Sequence, residues 1–180
     1  LRRATPIEAP RFIPSPAAQQ ITATLHCAKR GKIVVVGTSP GFGKTSTVRQ
    51  FVADVPQTWL ATMAPSTAGV ATMLAEILDA MGERDARGSP QMLTKRIKDR
   101  LKNTNGLIIL DDAQHLTQAA LDELRGLHDV TGIGIAMVGN AGLLSRLEGG
   151  SRHVAFAQLF SRVSMRIVQN LAFPEDGIAL

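Results

Sequence analysis

The chain has 180 residues, enough for one compact domain with a buried core, and 44% of them are apolar. No apolar run approaches the ~18 residues of a membrane span, the first ten residues lack an apolar signal core, and the lone Cys27 has no partner for a disulfide, so a globular protein of the reducing cytoplasm is expected. Twenty basic residues against 15 acidic ones, a net of +5, favour an anionic partner such as nucleic acid or nucleotide phosphate.

Residues 1–16 carry four prolines and three arginines without helical periodicity and read as an extended lead-in. A first helix is expected over 17–30, where Ile21, Leu25 and Ala28 share a face and Gly31 ends it. The β-branched run 32–37 predicts a strand, followed by a glycine-rich loop and a helix over 44–53. A strand at 58–63, a helix at 67–81, a polar break at 82–90 and a basic helix at 91–102 come next. The remainder predicts a strand at 107–111, helices at 118–129, 141–147 and 152–159, and strands at 133–139 and 163–168, with Gly149-Gly150 as a joint. Strands alternating with helices imply a parallel sheet covered on both faces.

The sharpest chemical signal is Thr38-Ser39-Pro40-Gly41-Phe42-Gly43-Lys44-Thr45, followed by Ser46 and set between a strand and a helix. That context is the one a phosphate-binding loop requires. Gly41 and Gly43 free backbone N–H groups to face phosphates, and the helix start adds partial positive charge. Lys44 is placed to reach the β- and γ-phosphates of ATP, and Thr45 to offer its hydroxyl to Mg2+. Ser39, Pro40, Phe42 and Ser46 complete the expected nucleotide contacts. The usual glycine five positions before Gly43 is Thr38 here, with Gly37 beside it, which puts the chain's path into the loop in question.

The strand at 107–111 ends in Asp111-Asp112, the companion such a loop needs. Asp111 is the candidate for holding Mg2+, directly or through water, and Asp112 for orienting the attacking water. Many related ATPases have glutamate at the second place, so the shorter Asp112 points to slow hydrolysis; Asp112 could equally cap the following helix. The strand at 58–63 lies in sequence between the loop strand and the acidic strand, which marks the P-loop branch that includes the AAA+ ATPases. Asn140, at the end of the next strand, is then the candidate sensor of the γ-phosphate, or a cap for the helix after it.

Several stretches resemble phage Mu transposition protein B. They are Leu110-Asp111-Asp112-Ala113-Gln114-His115-Leu116, Leu124-Arg125-Gly126-Leu127-His128-Asp129 and Val138-Gly139-Asn140, then Gly149-Gly150-Ser151-Arg152, Phe156-Ala157-Gln158-Leu159-Phe160-Ser161-Arg162 and Met165-Arg166. The resemblance implies an AAA+ ATPase in the cytoplasm of a bacterial host that forms ATP-dependent filaments on target DNA and stimulates a transposase. In related AAA+ proteins a Ser-Arg pair before the last strand reaches the neighbouring subunit's ATP, and Ser161-Arg162 matches that place. Arg152 and Arg166 are the fallback residues, and a solvated surface arginine or an intramolecular salt bridge is the plainer role for any one of the three.

DNA contacts are less defined. On the helix at 91–102, Lys95, Lys98 and Lys102 form one stripe beside the apolar Leu93, Ile97 and Leu101, with Arg96 and Arg100 on the other flank. Lys95, Lys98 and Lys102, with Arg84 and Arg87 in the polar break, are candidates for neutralising duplex phosphates without reading sequence, though such a face is commonly just solvated. One tryptophan and no tyrosine leave little for stacking on single strands, and the four histidines lack metal-like spacing. The expected fold is a three-layer α/β P-loop NTPase of the AAA+ type with strand order 5-1-4-3-2, a lead-in at 1–16, the core at 17–172, and the start of a mostly absent C-terminal lid at 173–180. The expected function is that of an ATP- and Mg2+-dependent ATPase binding double-stranded DNA and a transposase and completed by self-association. A protein-directed AAA+ ATPase and a nucleotide-binding module with negligible hydrolysis remain open alternatives.

Overall fold

The computed structural model describes residues 15–39, 41, 43–148 and 161–169. The lead-in before residue 15, Pro40, Phe42, the Gly149-Gly150 joint, the helix expected at 152–159 with Arg152, and the segment 173–180 lie outside the described residues.

Ser15 accepts a hydrogen bond from the Ala18 N–H at 3.2 Å and starts helix α1 (Pro16–Lys29). Pro16 occupies the first helical position, where its missing N–H leaves nothing unsatisfied, so the helix begins one residue before the expected boundary. Gly31 then turns the chain in a left-handed conformation (φ 76°) into β1 (Ile33–Thr38). Helix α2 (Lys44–Asp54), β2 (Thr58–Thr62), α3 (Val70–Ala80), α4 (Pro90–Leu101), β3 (Leu107–Asp111), α5 (Gln118–Thr131), β4 (Gly134–Gly139), α6 (Ala141–Glu148) and β5 (Val163–Gln169) follow.

The sheet runs β2-β3-β4-β1-β5 with every neighbouring pair parallel. Read from the other edge, this is the 5-1-4-3-2 order expected from the sequence. Side chains alternate between two apolar layers. Ile33 and Val35 of β1, Ile108 and Leu110 of β3, and Ile135 and Met137 of β4 pack with α3, α4 and α5. Val34 and Val36, Leu107 and Ile109, and Ala136 and Val138 face α1 and α2 through Ile21, Leu25, Val48 and Phe51. Burial on both faces explains why these strands read as continuous apolar runs rather than as alternating ones.

Two 3-10 turns, Pro65–Thr67 and Ala113–His115, went unforeseen. The first delays α3 by three residues from its expected start, because the Thr67 hydroxyl accepts from the Ala64 N–H at 2.8 Å and holds a local turn in place of helix. Among the described residues no helix is long and apolar enough to cross a membrane.

Candidate nucleotide site

Parallel pairing brings the C-terminal ends of β1, β3 and β4 to one edge of the sheet, where ligands of open α/β sheets bind. Gly37 pairs with Gly139 and Leu110 with Met137, so Thr38, Asp111 and Asn140 emerge side by side.

Gly41 (φ 91°) and Gly43 (φ 66°) both adopt backbone conformations that L side chains rarely take. Gly43 is the N-cap of α2, and its carbonyl accepts from the hydroxyls of Thr47 at 2.9 Å and Ser46 at 3.2 Å. The Lys44 ammonium folds back to donate to the Thr38 carbonyl at 3.3 Å, closing the loop on itself. Among the described residues, a Cβ at Gly41 would meet nothing within 4 Å. Ser39 is half-buried and Ser46 exposed at the loop's two ends.

Thr38 resolves the question raised by the missing glycine. It is the last residue of β1, pairs with Gln169 and needs no left-handed backbone, so the loop begins after it and a side chain is tolerated. Its hydroxyl is fully buried without a hydrogen-bond partner among the described residues. Gly37 answers to packing instead, since a Cβ there would lie 2.6 Å from Leu144 Cδ1 of α6.

Asp111 ends β3 with 3% of its surface exposed. Its Oδ2 accepts from the Thr45 hydroxyl at 3.1 Å and its Oδ1 from the Asp112 N–H at 3.0 Å. The loop and the acidic strand, 66 residues apart in sequence, therefore meet at one hydroxyl and one carboxylate. Both are hard oxygen donors, the kind that Mg2+ takes one or two of while drawing the rest from phosphate and water. These residues fit Mg-ATP.

Asp112 is half-buried in a left-handed conformation (φ 53°). It stands at the N-cap of the 3-10 turn, yet its side chain makes no capping bond there, so the helix-capping alternative has no geometric support. Its Oδ1 accepts instead from Gln114 Nε2 at 3.1 Å. Asn140 is exposed, donates its backbone N–H to Gln114 Oε1 at 3.3 Å, and accepts from the Leu143 N–H through its carbonyl. Gln114 escaped the sequence reading because its partners stand two and 26 positions away and follow no motif spacing. Arg146 of α6, also missed, donates to the carbonyls of Gln114 and Leu116 and fixes the turn.

Arg162 is not at this edge. It precedes Val163, which pairs with Ile33 at the start of β1, so about five residues of strand, on the order of 17 Å, separate it from its own phosphate loop. Its Nε donates to Asp129 Oδ1 at 2.7 Å, and Asp129 Oδ2 accepts from Arg125 at 3.0 Å. Burial pushes the Asp129 carboxyl up, but the bond and charge of Arg162 with the charges of Arg125 and His128 outweigh it, leaving the group below its ordinary value. Arg166 is exposed on β5.

The two basic flanks expected on α4 are not equivalent. Leu93, Ile97 and Leu101 are buried as the periodicity predicts. Arg96 and Arg100 both pair with Glu83, and Arg100 also donates to the Met81 carbonyl at 3.1 Å, so that flank, with Arg100 exposed and Arg96 half-buried, is tied to the α3–α4 connection. Arg84, Arg87, Lys95 and Lys102 are exposed and Lys98 is half-buried; Lys102 pairs with Asp99 at 2.6 Å.

Three curated relatives and a group of solved structures are similar to this chain. The chain is 37% identical over 174 residues to the ATP-dependent target DNA activator B of Escherichia phage Mu, covering 96% of this chain and 56% of that protein. It is also 37% identical over 161 residues to the Mu-like prophage FluMu DNA transposition protein B of Haemophilus influenzae, covering 88% of this chain and 56% of that one. The chain thus spans little more than half the length of these relatives. The Walker-type ATPase of Pyrococcus abyssi superposes with a TM-score of 0.64 at 12% identity, over 93% of this chain and 56% of that chain. Drosophila ORC bound to DNA gives 0.54 at 15% identity, over 89% of this chain and 95% of that chain. At such identities the structures speak for the fold alone. A family model described as an AAA domain matches residues 27–147, well over half of the chain, and this protein belongs to that AAA domain family.

Proposed function

We propose that the chain is the nucleotide-binding core of an ATPase that assembles on double-stranded DNA in its ATP state and stimulates a transposase. The observation that carries this reading is the 3.1 Å contact between Thr45 and Asp111, a hydroxyl and a carboxylate suited to Mg-ATP, in a chain similar to a relative named for ATP-dependent activation of target DNA.

Bound Mg-ATP supplies the phosphoryl group to be transferred and the cation that neutralises its charge. The chain's own residues do the rest. Backbone N–H groups of the loop and the start of α2 bind the phosphates, and Lys44 exchanges the Thr38 carbonyl for phosphate oxygens. Thr45 and Asp111 would hold the cation. Asp112 orients the attacking water and accepts its proton, and Asn140 contacts the γ-phosphate from the end of β4.

Arg162, too far from its own loop, acts on the site of a neighbouring copy, where its planar fork suits the developing charge. Asp129 holds it in the isolated chain. Lys95, Lys98, Lys102, Arg84 and Arg87 neutralise duplex phosphates without sequence preference.

Steady-state ATP turnover by the full-length protein at rising concentration, with and without duplex DNA, tests this reading. The rate per protomer should climb with concentration and again with DNA. A measurable rate indifferent to both favours a protein-directed ATPase, and no turnover anywhere favours a regulatory nucleotide-binding module.

A further inference from the structure

Gln114 occupies a place that the nucleotide contacts do not account for. Its side chain bridges two groups of opposite hydrogen-bonding character, donating from Nε2 to the Asp112 carboxylate at 3.1 Å and accepting at Oε1 from the Asn140 backbone N–H at 3.3 Å. A carboxylate only accepts and a backbone N–H only donates, so a single orientation of the amide satisfies both. Glutamine is the suitable side chain for this bridge: glutamate would set two carboxylates against each other, and leucine would serve neither partner.

The surroundings hold the bridge in place. Arg146 grips the carbonyls of Gln114 and Leu116 from α6, so the backbone under the amide is anchored. On the opposite side β4 ends in Gly139, where a Cβ would lie 2.5 Å from Gln114 Oε1, so glycine leaves the space that the amide fills. Asp112 itself sits at φ 53°, an uncommon conformation for a residue with a side chain, and its carboxylate has the Gln114 amide as its fixed point.

We propose that Gln114 is a positioning residue for hydrolysis, holding the Asp112 carboxylate in one orientation and tying it to Asn140, so that the acid and the polar strand end act as one unit. The proposal rests on the ATPase reading of Asp112. It assigns Gln114 no contact with nucleotide, and its effect should therefore fall on turnover and pass through Asp112.

The experiment compares full-length wild type, Asp112→Asn, Gln114→Leu, Gln114→Glu and the Asp112→Asn/Gln114→Leu double variant, measuring kcat, KM and affinity for a fluorescent ATP analogue. Losing a hydrogen bond to a charged group should lower kcat of Gln114→Leu about tenfold while affinity stays within about twofold. The double variant should be no slower than Asp112→Asn, because a residue that acts through another costs nothing once that other is gone. Gln114→Glu, nearly identical in shape, should be as slow as Gln114→Leu, and it carries the test if the leucine variant fails to fold. Wild-type kcat in the Gln114 variants beside a slow Asp112→Asn, or losses that multiply in the double variant, overturn the proposal alone. Wild-type kcat in Asp112→Asn overturns the ATPase reading of Asp112, and the Gln114 proposal with it.

Discussion

Lys44 spends its charge on the Thr38 carbonyl 3.3 Å away, a neutral acceptor that phosphate oxygens outbid. Replacing it with alanine should abolish nucleotide binding while leaving the fold intact, as measured by titration with a fluorescent ATP analogue; retained affinity would remove Lys44 from the site. Asp112→Asn should spare binding and slow turnover, by about 10²-fold if Asp112 acts as a general base. Normal turnover in this variant would sink its assignment.

These residues were legible because each belongs to a fixed local order, the loop between strand and helix and the acids at a strand end. What was not legible at this scale depends on space rather than spacing. The partnership of Gln114 with Asn140 exists only because β3 and β4 lie side by side. The link from Arg162 to Asp129 joins positions 33 apart. Position 38 misled in a third way: the loop motif asks for glycine there, while the structure needs only an extended residue and puts the steric demand on Gly37.

At the scale of elements, helix and strand order followed from apolar patterning, since the strands β1, β3 and β4, buried throughout, read as short apolar runs and the helices as single apolar stripes. The ends were set by hydroxyls and glycines whose effect is tertiary or local. Thr67 held back α3, and Gly132 (φ 69°) let α5 run to Thr131, two residues past its expected end. Just beyond, β4 starts against the C-terminal turn of α1, where a Cβ on Gly134 would collide with the Ala28 carbonyl oxygen. That atom is backbone and cannot swing aside. Gly134→Ala should therefore destabilise the fold by about 1–3 kcal/mol in a denaturant melt, and an unchanged midpoint would mean that α1 and β4 pack less tightly than described.

For the whole molecule, the governing fact is that the sheet's two ends carry different groups of candidate residues. The phosphate loop, Asp111, Asp112 and Asn140 share one end, while Arg162 stands at the other with Asp129. Arg162→Ala should slow turnover only in assemblies and leave dilute, monomeric protein unaffected, as sedimentation and ATPase rate on the same samples would show. An equal loss in the monomer would point to a role within one chain. The Asp129 carboxyl is held below its ordinary value, so the stabilisation from its ion pair is present at neutral pH and lost as pH falls through the depressed value. The resting contact is therefore intact under the conditions where assembly would be measured.

Duplex DNA binding by the full-length protein, measured with ATP, with ADP and without nucleotide across a salt series, tests the central claim most directly, with Lys44→Ala as the control. The account predicts binding that requires ATP, is absent in Lys44→Ala, weakens steeply with salt as phosphate contacts demand, and shows no preference among sequences. Equal binding in all three nucleotide states, or none in any of them, would contradict it.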